Sequence, residues 1–400
     1  MIRNKLVHNN MKEISIKSIK TVMGGVICHL QIDGNDECIT TTVNDECIPY
    51  LSADRIDAYV VGLLYFAMKH SFDFHSNLPI SEDLYYAIKA HFIPGLLLGN
   101  KSLHAVEIHA PLASSPECKD KSIRGTGISC GVDSLYTLAV NESGGVPKSH
   151  RINSLFFFNV GAGFKGEKDL RTPLIEGRLN LGKKFAKKYG YHFFFIESNI
   201  HLVMHKYFSY DHLEMESFMA LFCIFTLQKG IQSYHFSSSN SIVDFSVDGP
   251  VVEREGTCMF DMFTYACLSV NGMKLYSEGS EVERLDKVKV LSTWEPAFEF
   301  LNVCVNELDN CNVCGKCIRT ILEINAVGDI YKFKHVFDVD FFEKNYKSYL
   351  RRLYIDAVFK KDFFLRKLYV YYRKEISSMD KCRWIFSILM NKLLKRNEIL

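Results

Sequence analysis

Short, continuously apolar runs alternate with segments of helical spacing between about residue 123 and residue 300. Two such runs, at residues 154–164 (SLFFFNVGAGF) and 192–200 (HFFFIESNI), flank an amphipathic segment that closes at Gly190. Strands that are apolar on both faces are typical of parallel sheets covered by helices on each side. The sequence therefore predicts an α/β fold with a doubly wound, mostly parallel sheet.

The N-terminal part of the chain has a different pattern. Residues 14–43 alternate apolar and polar positions as half-buried strands do, and a helical segment follows with Ser52 or Asp54 as the expected N-cap. A stretch rich in Pro, Ser and charge at residues 110–122 has the composition of a linker. These features predict a separate α+β domain over residues 1–118.

The C-terminal part is basic, aromatic and helical in pattern. Residues 331–400 contain 17 Lys and Arg against 8 Asp and Glu, although the whole chain carries a net charge of only +2. That small overall charge argues against bulk electrostatic capture of nucleic acid. We expect residues 331–400 to form a helical extension.

Cysteine usage and hydropathy indicate in which cellular compartment the protein is expected. The chain has 13 cysteines, most of them scattered without a disulfide-framework pattern, which fits reduced thiols. The N-terminus lacks the apolar stretch of a secretory signal, and the longest apolar run, residues 218–227, is shorter than the roughly 20 residues that cross a bilayer. The expectation is a cytoplasmic protein without a membrane span.

A glycine-containing loop joins the first apolar strand of the α/β segment to its helix. It consists of Ser129, Cys130, Gly131, Val132, Asp133 and Ser134. Such a strand-to-helix turn presents backbone N–H groups and a helix N-terminus to an anion. No Gly-Lys-Ser/Thr follows, so the loop is not of the Walker type; the alternative to a phosphate site is an ordinary capped turn.

Four cysteines cluster further along the chain. Cys304 precedes Cys311, Cys314 and Cys317, and the last three form overlapping C-x-x-C units with Gly315 at the expected bend. Four soft ligands are the number that a closed, tetrahedral structural zinc site requires. An iron–sulfur cluster and free core cysteines are the alternatives.

The loop resembles the Ser-Gly-Gly-x-Asp-Ser signature of the PP-loop ATP pyrophosphatase superfamily, with Cys130 at a glycine position. Together with the later cysteines and Arg319, it is similar to the 7-cyano-7-deazaguanine synthase branch and to larger bacterial relatives with an extra N-terminal domain. The similarity spans about residues 123–328. It implies an adenine nucleotide hydrolase-like, ATP-binding domain over residues 119–330 that includes the zinc loop.

The resemblance also implies roles for individual residues. The hydroxyls of Ser129 and Ser134 and the amides around Cys130, Gly131 and Val132 would cradle phosphates, and Asp133 would help to hold Mg²⁺. Asn159 and Gly161, after the next strand, are further cofactor-binding candidates. Arg284 and Lys287 would contact the triphosphate or an adenylate, or else form a solvated helix face. Asp133, Ser134, Arg284 and Lys287 are the catalytic candidates.

The implied activity is that of an ATP-dependent ligase or amidating enzyme that adenylates a carboxylate or amide oxygen and releases AMP and pyrophosphate. Its cofactors would be ATP, Mg²⁺ and Zn²⁺, and its substrate a small molecule or a peptide-derived metabolite. One alternative is a sulfur transferase acting on tRNA or a small molecule, with Cys130 as persulfide carrier. Another is a non-enzymatic, zinc-stapled nucleotide-binding module.

Further expectations concern macromolecular partners, the Cys130 thiol and several candidate polar residues. A protein partner could bind through the N-terminal domain or the C-terminal helices, whereas the tail has no RNA-binding motif, which argues against tRNA. Beside a helix N-terminus the Cys130 thiol should have a lowered pKa. Asp261 and the serines at residues 237–239 are candidate substrate contacts by position, and three histidines are expected on a helix surface: His201, His205 and His212.

Overall fold

The computed structural model describes residues 12–116, 121–166, 170–248 and 256–397. The chain divides into two compact units, Met1–Arg284 and Leu285–Leu400. The expected boundaries at residues 118 and 330 stay predictions. The observed division places the cysteine loop in the same unit as the C-terminal helices.

The first unit begins with a three-stranded antiparallel meander. It consists of β1 (Lys12–Val22), β2 (Gly25–Ile32) and β3 (Asn35–Val43). The turns contain Gly24 and Gly34, both at positive φ, which residues with a side chain rarely adopt. The structure therefore confirms the strands that the alternating pattern predicts here.

A mainly helical stretch follows the meander. Its elements are α1 (Asp57–His70), β4 (Phe72–Ser76), β5 (Ile80–Ser81), α2 (Glu82–Ala87), a π-helical turn (Ile88–Phe92), α3 (Ile93–Gly99), β6 (Ile108–His109) and β7 (Leu112–Ala113). The N-cap of α1 is Ile56, without a side-chain hydrogen bond, so the prediction of Ser52 or Asp54 was wrong. The Ser52 N–H instead donates to the carbonyl of Thr226, which fixes the chain before the helix starts.

Strands and helices then alternate as the sequence predicts. The elements are β8 (Ile123–Gly127), α4 (Val132–Glu142), β9 (Ser154–Asn159), α5 (Pro173–Tyr189), β10 (His192–Ser198), α6 (Ile200–Tyr207), α7 (His212–Thr226), β11 (Ile231–Ser237), α8 (Asp261–Cys267) and β12 (Lys274–Glu278). Gly190 ends α5 in the left-handed conformation, as expected of a C-cap glycine.

One ten-stranded sheet joins both parts of the first unit, in the order β12-β11-β8-β9-β10-β3-β2-β1-β4-β6. The strands from β12 to β10 are parallel, and β10 pairs antiparallel with β3 of the meander. The prediction of an α/β fold with a large, mostly parallel sheet is confirmed. The five parallel strands have the order 3-2-1-4-5, so the topological switch lies between β8 and β11, where ligands bind in open α/β sheets.

The helices α1 and α7 pack against each other in the core of this unit. Tyr59 contacts Phe222, and Tyr65 contacts Phe218, with ring centroids 5.6 and 5.3 Å apart. A Cβ atom on Gly62 would approach Cβ of Phe222 to 2.9 Å, so the close helix contact needs glycine there. The longest apolar run of the sequence, residues 218–227, therefore lies almost entirely in a central packing helix.

The second unit is helical. It contains α9 (Arg284–Leu291, whose first residue ends the first unit), α10 (Glu295–Phe300), α11 (Gly315–Val327), α12 (Val339–Lys344), α13 (Tyr346–Val358), α14 (Phe363–Tyr372) and α15 (Ser378–Asn397). The Tyr372 hydroxyl on α14 donates to the carbonyl of Leu322 on α11, 2.6 Å away. Within the described ranges, every helix is too short or too polar to cross a bilayer.

Candidate functional site

The predicted anion-binding loop lies at the topological switch of the sheet. Residues 128–131 connect β8 to α4, and β8 is flanked by β9 and β11. The Thr126 hydroxyl donates to the carbonyl of His235 (2.7 Å), and the Thr137 hydroxyl donates to Ser237 Oγ (2.9 Å). These bonds fix β8 and α4 against the carboxyl end of β11, which carries one of the predicted substrate-contact serines.

Hydroxyl groups organise the loop itself. Oγ of Ser129 accepts a hydrogen bond from the Gly131 N–H (3.2 Å) and lies 3.1 Å from Oγ of Ser134, which donates to the Gly131 carbonyl (3.2 Å). Gly131 is the N-cap of α4, and as a glycine it has no side chain with which to cap the helix. Backbone N–H groups and the positive end of the helix dipole therefore converge where an anion can bind.

An ion pair brings a cation to this loop. Nη1 of Arg284 lies 3.0 Å from Oδ2 of Asp133 in the first turn of α4, and both side chains are largely buried. The structure therefore brings together two of the four predicted catalytic residues, 151 positions apart in the chain. Lys287 belongs to the second unit, where its side chain is buried, and its role at an anion stays a prediction.

Cys130 has a left-handed backbone and a buried thiol. Its φ is +56°, and only 1% of its surface is exposed. Burial raises the pKa of the Cys130 thiol to about 12. The expected lowering of this pKa by the helix N-terminus was wrong, because desolvation of the thiolate outweighs the helix dipole.

Asn159 and Gly161 lie beyond the carboxyl end of β9, next to β8. The Asn159 side-chain amide donates to the carbonyl of Leu170 (2.7 Å) and to Oε2 of Glu197 (2.8 Å), which also pairs with Arg171. Gly161 has φ of +109°, and a Cβ there would meet the Tyr210 hydroxyl at 2.7 Å. Both residues thus have structural roles, and their contact with a cofactor stays a prediction.

An aromatic and histidine cluster follows Gly161. The ring of Phe164 meets those of His201, His205 and Tyr210 edge-on, with centroids 5.3, 5.0 and 5.9 Å away. His201 is buried, with 3% exposure, so the expectation of a helix surface was wrong for this histidine. Burial lowers the pKa of His201 to about 4, which keeps its imidazole neutral.

The four predicted cysteine ligands converge in the second unit. The Sγ atoms of Cys304, Cys311, Cys314 and Cys317 all lie within 4.8 Å of one another. The Cys304–Cys314 and Cys311–Cys317 sulfur pairs are 4.0 and 3.9 Å apart. A tetrahedral ion with bonds of about 2.3 Å to sulfur requires S···S distances of about 3.8 Å. The cluster is therefore a possible metal-binding site.

Backbone amides support the sulfurs. The N–H groups of Glu307, Cys314 and Cys317 lie 3.3, 3.3 and 3.5 Å from the sulfurs of Cys304, Cys311 and Cys314, respectively. Burial raises the pKa of Cys304, but hydrogen bonds from backbone N–H groups outweigh it and lower the pKa to about 7. The loop therefore favours the thiolate at Cys304, whereas burial raises the pKa of Cys311 and of Cys317.

The conformation of the cysteine loop depends on two asparagines that sequence reasoning missed. The buried Asn310 accepts from the N–H groups of Val303 and Cys304 and donates to the carbonyls of Leu301 and Val336.

The second asparagine, Asn312, has a φ of +61° and provides the left-handed bend of the loop. Gly315, expected at that bend, is instead the first residue of α11.

Comparisons with protein-family models, with curated proteins and with solved structures find no match for this chain.

Proposed function

We propose that this chain is an ATP-dependent, AMP-forming ligase of the PP-loop type, which adenylates a carboxylate or amide oxygen of its substrate. The observation that carries the proposal is the start of α4, whose N-cap Gly131 has no capping side chain, at the switch point of the sheet. The Arg284–Asp133 ion pair adjoins it. A helix N-terminus with a neighbouring guanidinium favours a polyanion such as a triphosphate.

The proposed reaction has two steps. A substrate oxygen attacks the α-phosphorus of ATP, and the bond from that phosphorus to the bridging oxygen breaks as pyrophosphate leaves. Ammonia, an amine or a thiol then attacks the activated carbon, loses a proton and displaces AMP. Catalysis of this kind depends mainly on positioning and on electrostatic stabilisation of the transferred group.

The loop residues would supply that positioning. The Val132 amide and the hydroxyls of Ser129 and Ser134 would bind the β- and γ-phosphates. The Gly131 amide would exchange its present acceptor, Oγ of Ser129, for a phosphate oxygen.

Arg284 would offset charge that develops on the leaving pyrophosphate. Asp133 would orient that arginine and contact the Mg²⁺ held by the phosphates. Asn159 and Gly161 remain candidates for contacts with the nucleotide.

We assign zinc, in a structural role, to the cysteine cluster. Four thiolates at tetrahedral spacing match the closed zinc sites of small metal-stapled loops, which leave no position open for a substrate. The site would stabilise the turn between α10 and α11 rather than take part in the reaction.

The sulfur-transfer alternative is weakened by the state of Cys130. A persulfide carrier needs an accessible thiolate, since the thiolate is the nucleophile. The Cys130 thiol is buried, and burial raises its pKa to about 12. We therefore propose that cysteine here is a loop residue, not a catalyst.

The decisive experiment measures ATP–pyrophosphate exchange and AMP release over a panel of carboxylic acids that includes 7-carboxy-7-deazaguanine. The substitutions Asp133→Asn and Ser134→Ala should each lower AMP formation at least about 100-fold, the usual effect of losing one transition-state contact. The fold should survive, because both positions lie in the first turn of α4, beyond the carboxyl end of β8.

Asp83→Asn is the matched control. Asp83 also lies in the first turn of a helix, α2, and is exposed, so its removal changes the same charge away from the loop. Turnover that persists in both loop variants would place the nucleotide elsewhere. Nucleotide binding without any AMP formation would favour the non-enzymatic module.

A further inference from the structure

The turn after β11 presents large apolar side chains to solvent. Ile242, Val243 and Phe245 are 55%, 74% and 46% exposed, and they follow the serines at the end of this strand within a few residues. We call these three side chains the 242–245 patch. Neighbouring exposed apolar side chains on a folded surface are a common mark of a binding site.

The backbone beneath the patch is fixed. The Ile242 N–H donates to the carbonyl of Ser280 (2.7 Å), and the Ser246 N–H donates to the carbonyl of Met259 (3.1 Å). Inside the turn, the Ser241 hydroxyl donates to Oδ2 of Asp244 (3.0 Å). The apolar side chains are therefore held outward by a hydrogen-bonded turn.

Two contacts connect the turn that carries the patch with the loop that opens α4. Oγ of Ser241 lies 3.5 Å from Oε1 of Glu283. The next residue, Arg284, pairs with Asp133 at 3.0 Å. In addition, the patch follows β11, which is hydrogen-bonded to β8. A chain of contacts, Ser241 to Glu283 and Arg284 to Asp133, thus joins the turn that carries the patch to the candidate phosphate site.

We infer that the 242–245 patch binds the apolar part of the substrate, and that the activated substrate is a carboxylic acid with an aliphatic or aromatic body. This inference rests on the proposed ligase function, which requires a carboxylate or amide oxygen near the α-phosphate. An apolar body on the patch would leave the carboxylate directed toward the loop, next to Arg284.

The size of the patch favours this occupant over a protein. Three partly exposed side chains offer on the order of a few hundred Å² at most. A stable protein interface takes about 800 Å² from each partner. A small apolar body needs no more than the patch provides.

Direct binding to the full chain tests the inference. The probes are straight-chain acids from butanoate to octanoate, measured by calorimetry with α,β-methylene-ATP present so that no adenylate forms. Each methylene buried on the patch should raise affinity about fourfold. Suberate, which matches octanoate in length but has a second carboxylate, should bind at least about tenfold more weakly because that charge would be desolvated.

Val243→Glu should lower octanoate affinity at least about tenfold and leave the affinity for α,β-methylene-ATP unchanged. The control is Met23→Glu, which makes the same kind of change at a fully exposed residue in the turn between β1 and β2, five strands from β11. It should change neither affinity.

The outcomes separate the two proposals. Equal affinities along the acid series, or octanoate binding that Val243→Glu does not weaken, would overturn the role of the patch. Failure of the unmodified chain to bind α,β-methylene-ATP would instead refute the ATP-dependent function, whatever the acids do.

Discussion

Because the backbone at Cys130 is left-handed, we expect glycine to be more stabilising than alanine at this buried position. Cys130 has φ of +56°, in the region that favours glycine, and its side chain is buried. Replacing it with glycine and, separately, with alanine removes the same thiol in both variants. The difference in unfolding free energy between Cys130→Gly and Cys130→Ala therefore reports mainly on the backbone.

The magnitude follows from two opposing effects. A residue with a Cβ loses about 1–2 kcal/mol in the left-handed conformation, and glycine avoids this loss. Glycine in turn loses about 0.5–1 kcal/mol more conformational freedom than alanine when the chain folds. Cys130→Gly should thus be more stable than Cys130→Ala by about 0.5–1 kcal/mol.

Cys223 provides the control. It is also fully buried but lies inside the helix α7, so there the alanine variant should be the more stable by about 1 kcal/mol. Both tryptophans, Trp294 and Trp384, lie in the second unit, so tryptophan fluorescence does not report on this change. Urea unfolding followed by far-UV circular dichroism, with hydrogen exchange of residues 123–142, is the appropriate assay.

The same sign at both cysteines would refute the reasoning. If Cys130→Ala exceeded Cys130→Gly in stability, as expected only at Cys223, the side chain at position 130 would carry no backbone strain. In the proposed ligase, Cys130→Gly should also retain or raise AMP formation, because it restores glycine in the loop. Complete loss of product with adenylate formation preserved would make Cys130 the nucleophile.

Two further predictions concern the metal site and a buried histidine. The purified protein should contain about one zinc per chain. The Cys314→Ser variant should lose both the zinc and the cooperative unfolding transition seen by tryptophan fluorescence, since zinc supplies on the order of 10 kcal/mol of folding free energy in finger peptides. Bound iron, or a stable zinc-free protein, would contradict this. Because burial lowers the pKa of His201 from 6.5 to about 4, the unfolded chain takes up this proton first, and stability falls as pH drops from 6.5 toward 4. Between pH 7 and pH 5 that loss is about 2 kcal/mol, and His201→Gln should remove it from urea unfolding curves measured at the two pH values. An equal loss in His201→Gln would show that other groups cause it.

Local patterns in the sequence predict the elements that local chemistry determines. The alternating apolar runs predict the α/β architecture, Gly190 ends α5 as a C-cap glycine should, and the four cysteines converge as their spacing indicates. In each case the signal lies in the same residues that form the predicted feature.

Features that depend on distant contacts were missed. The Ser52 N–H donates a hydrogen bond to the carbonyl of Thr226, and α1 begins after Ile56 rather than at Ser52. The pKa of Cys130 follows burial, which its immediate neighbours in the sequence do not show. A single asparagine in a loop gives no pattern, so the role of Asn310 became visible only with its four hydrogen bonds.

The pairing of β3 with β10 has a consequence for synthesis of the chain. Asn44, just after β3, bonds to Phe195 on β10, 151 residues later. At 5–20 residues per second, a ribosome needs about 8–30 s to supply that partner. During this time the nascent meander has one unpaired edge, a hazard for aggregation that charged residues reduce. Asp36 and Glu37 on β3 supply such charges until β10 has been synthesised and can pair with β3.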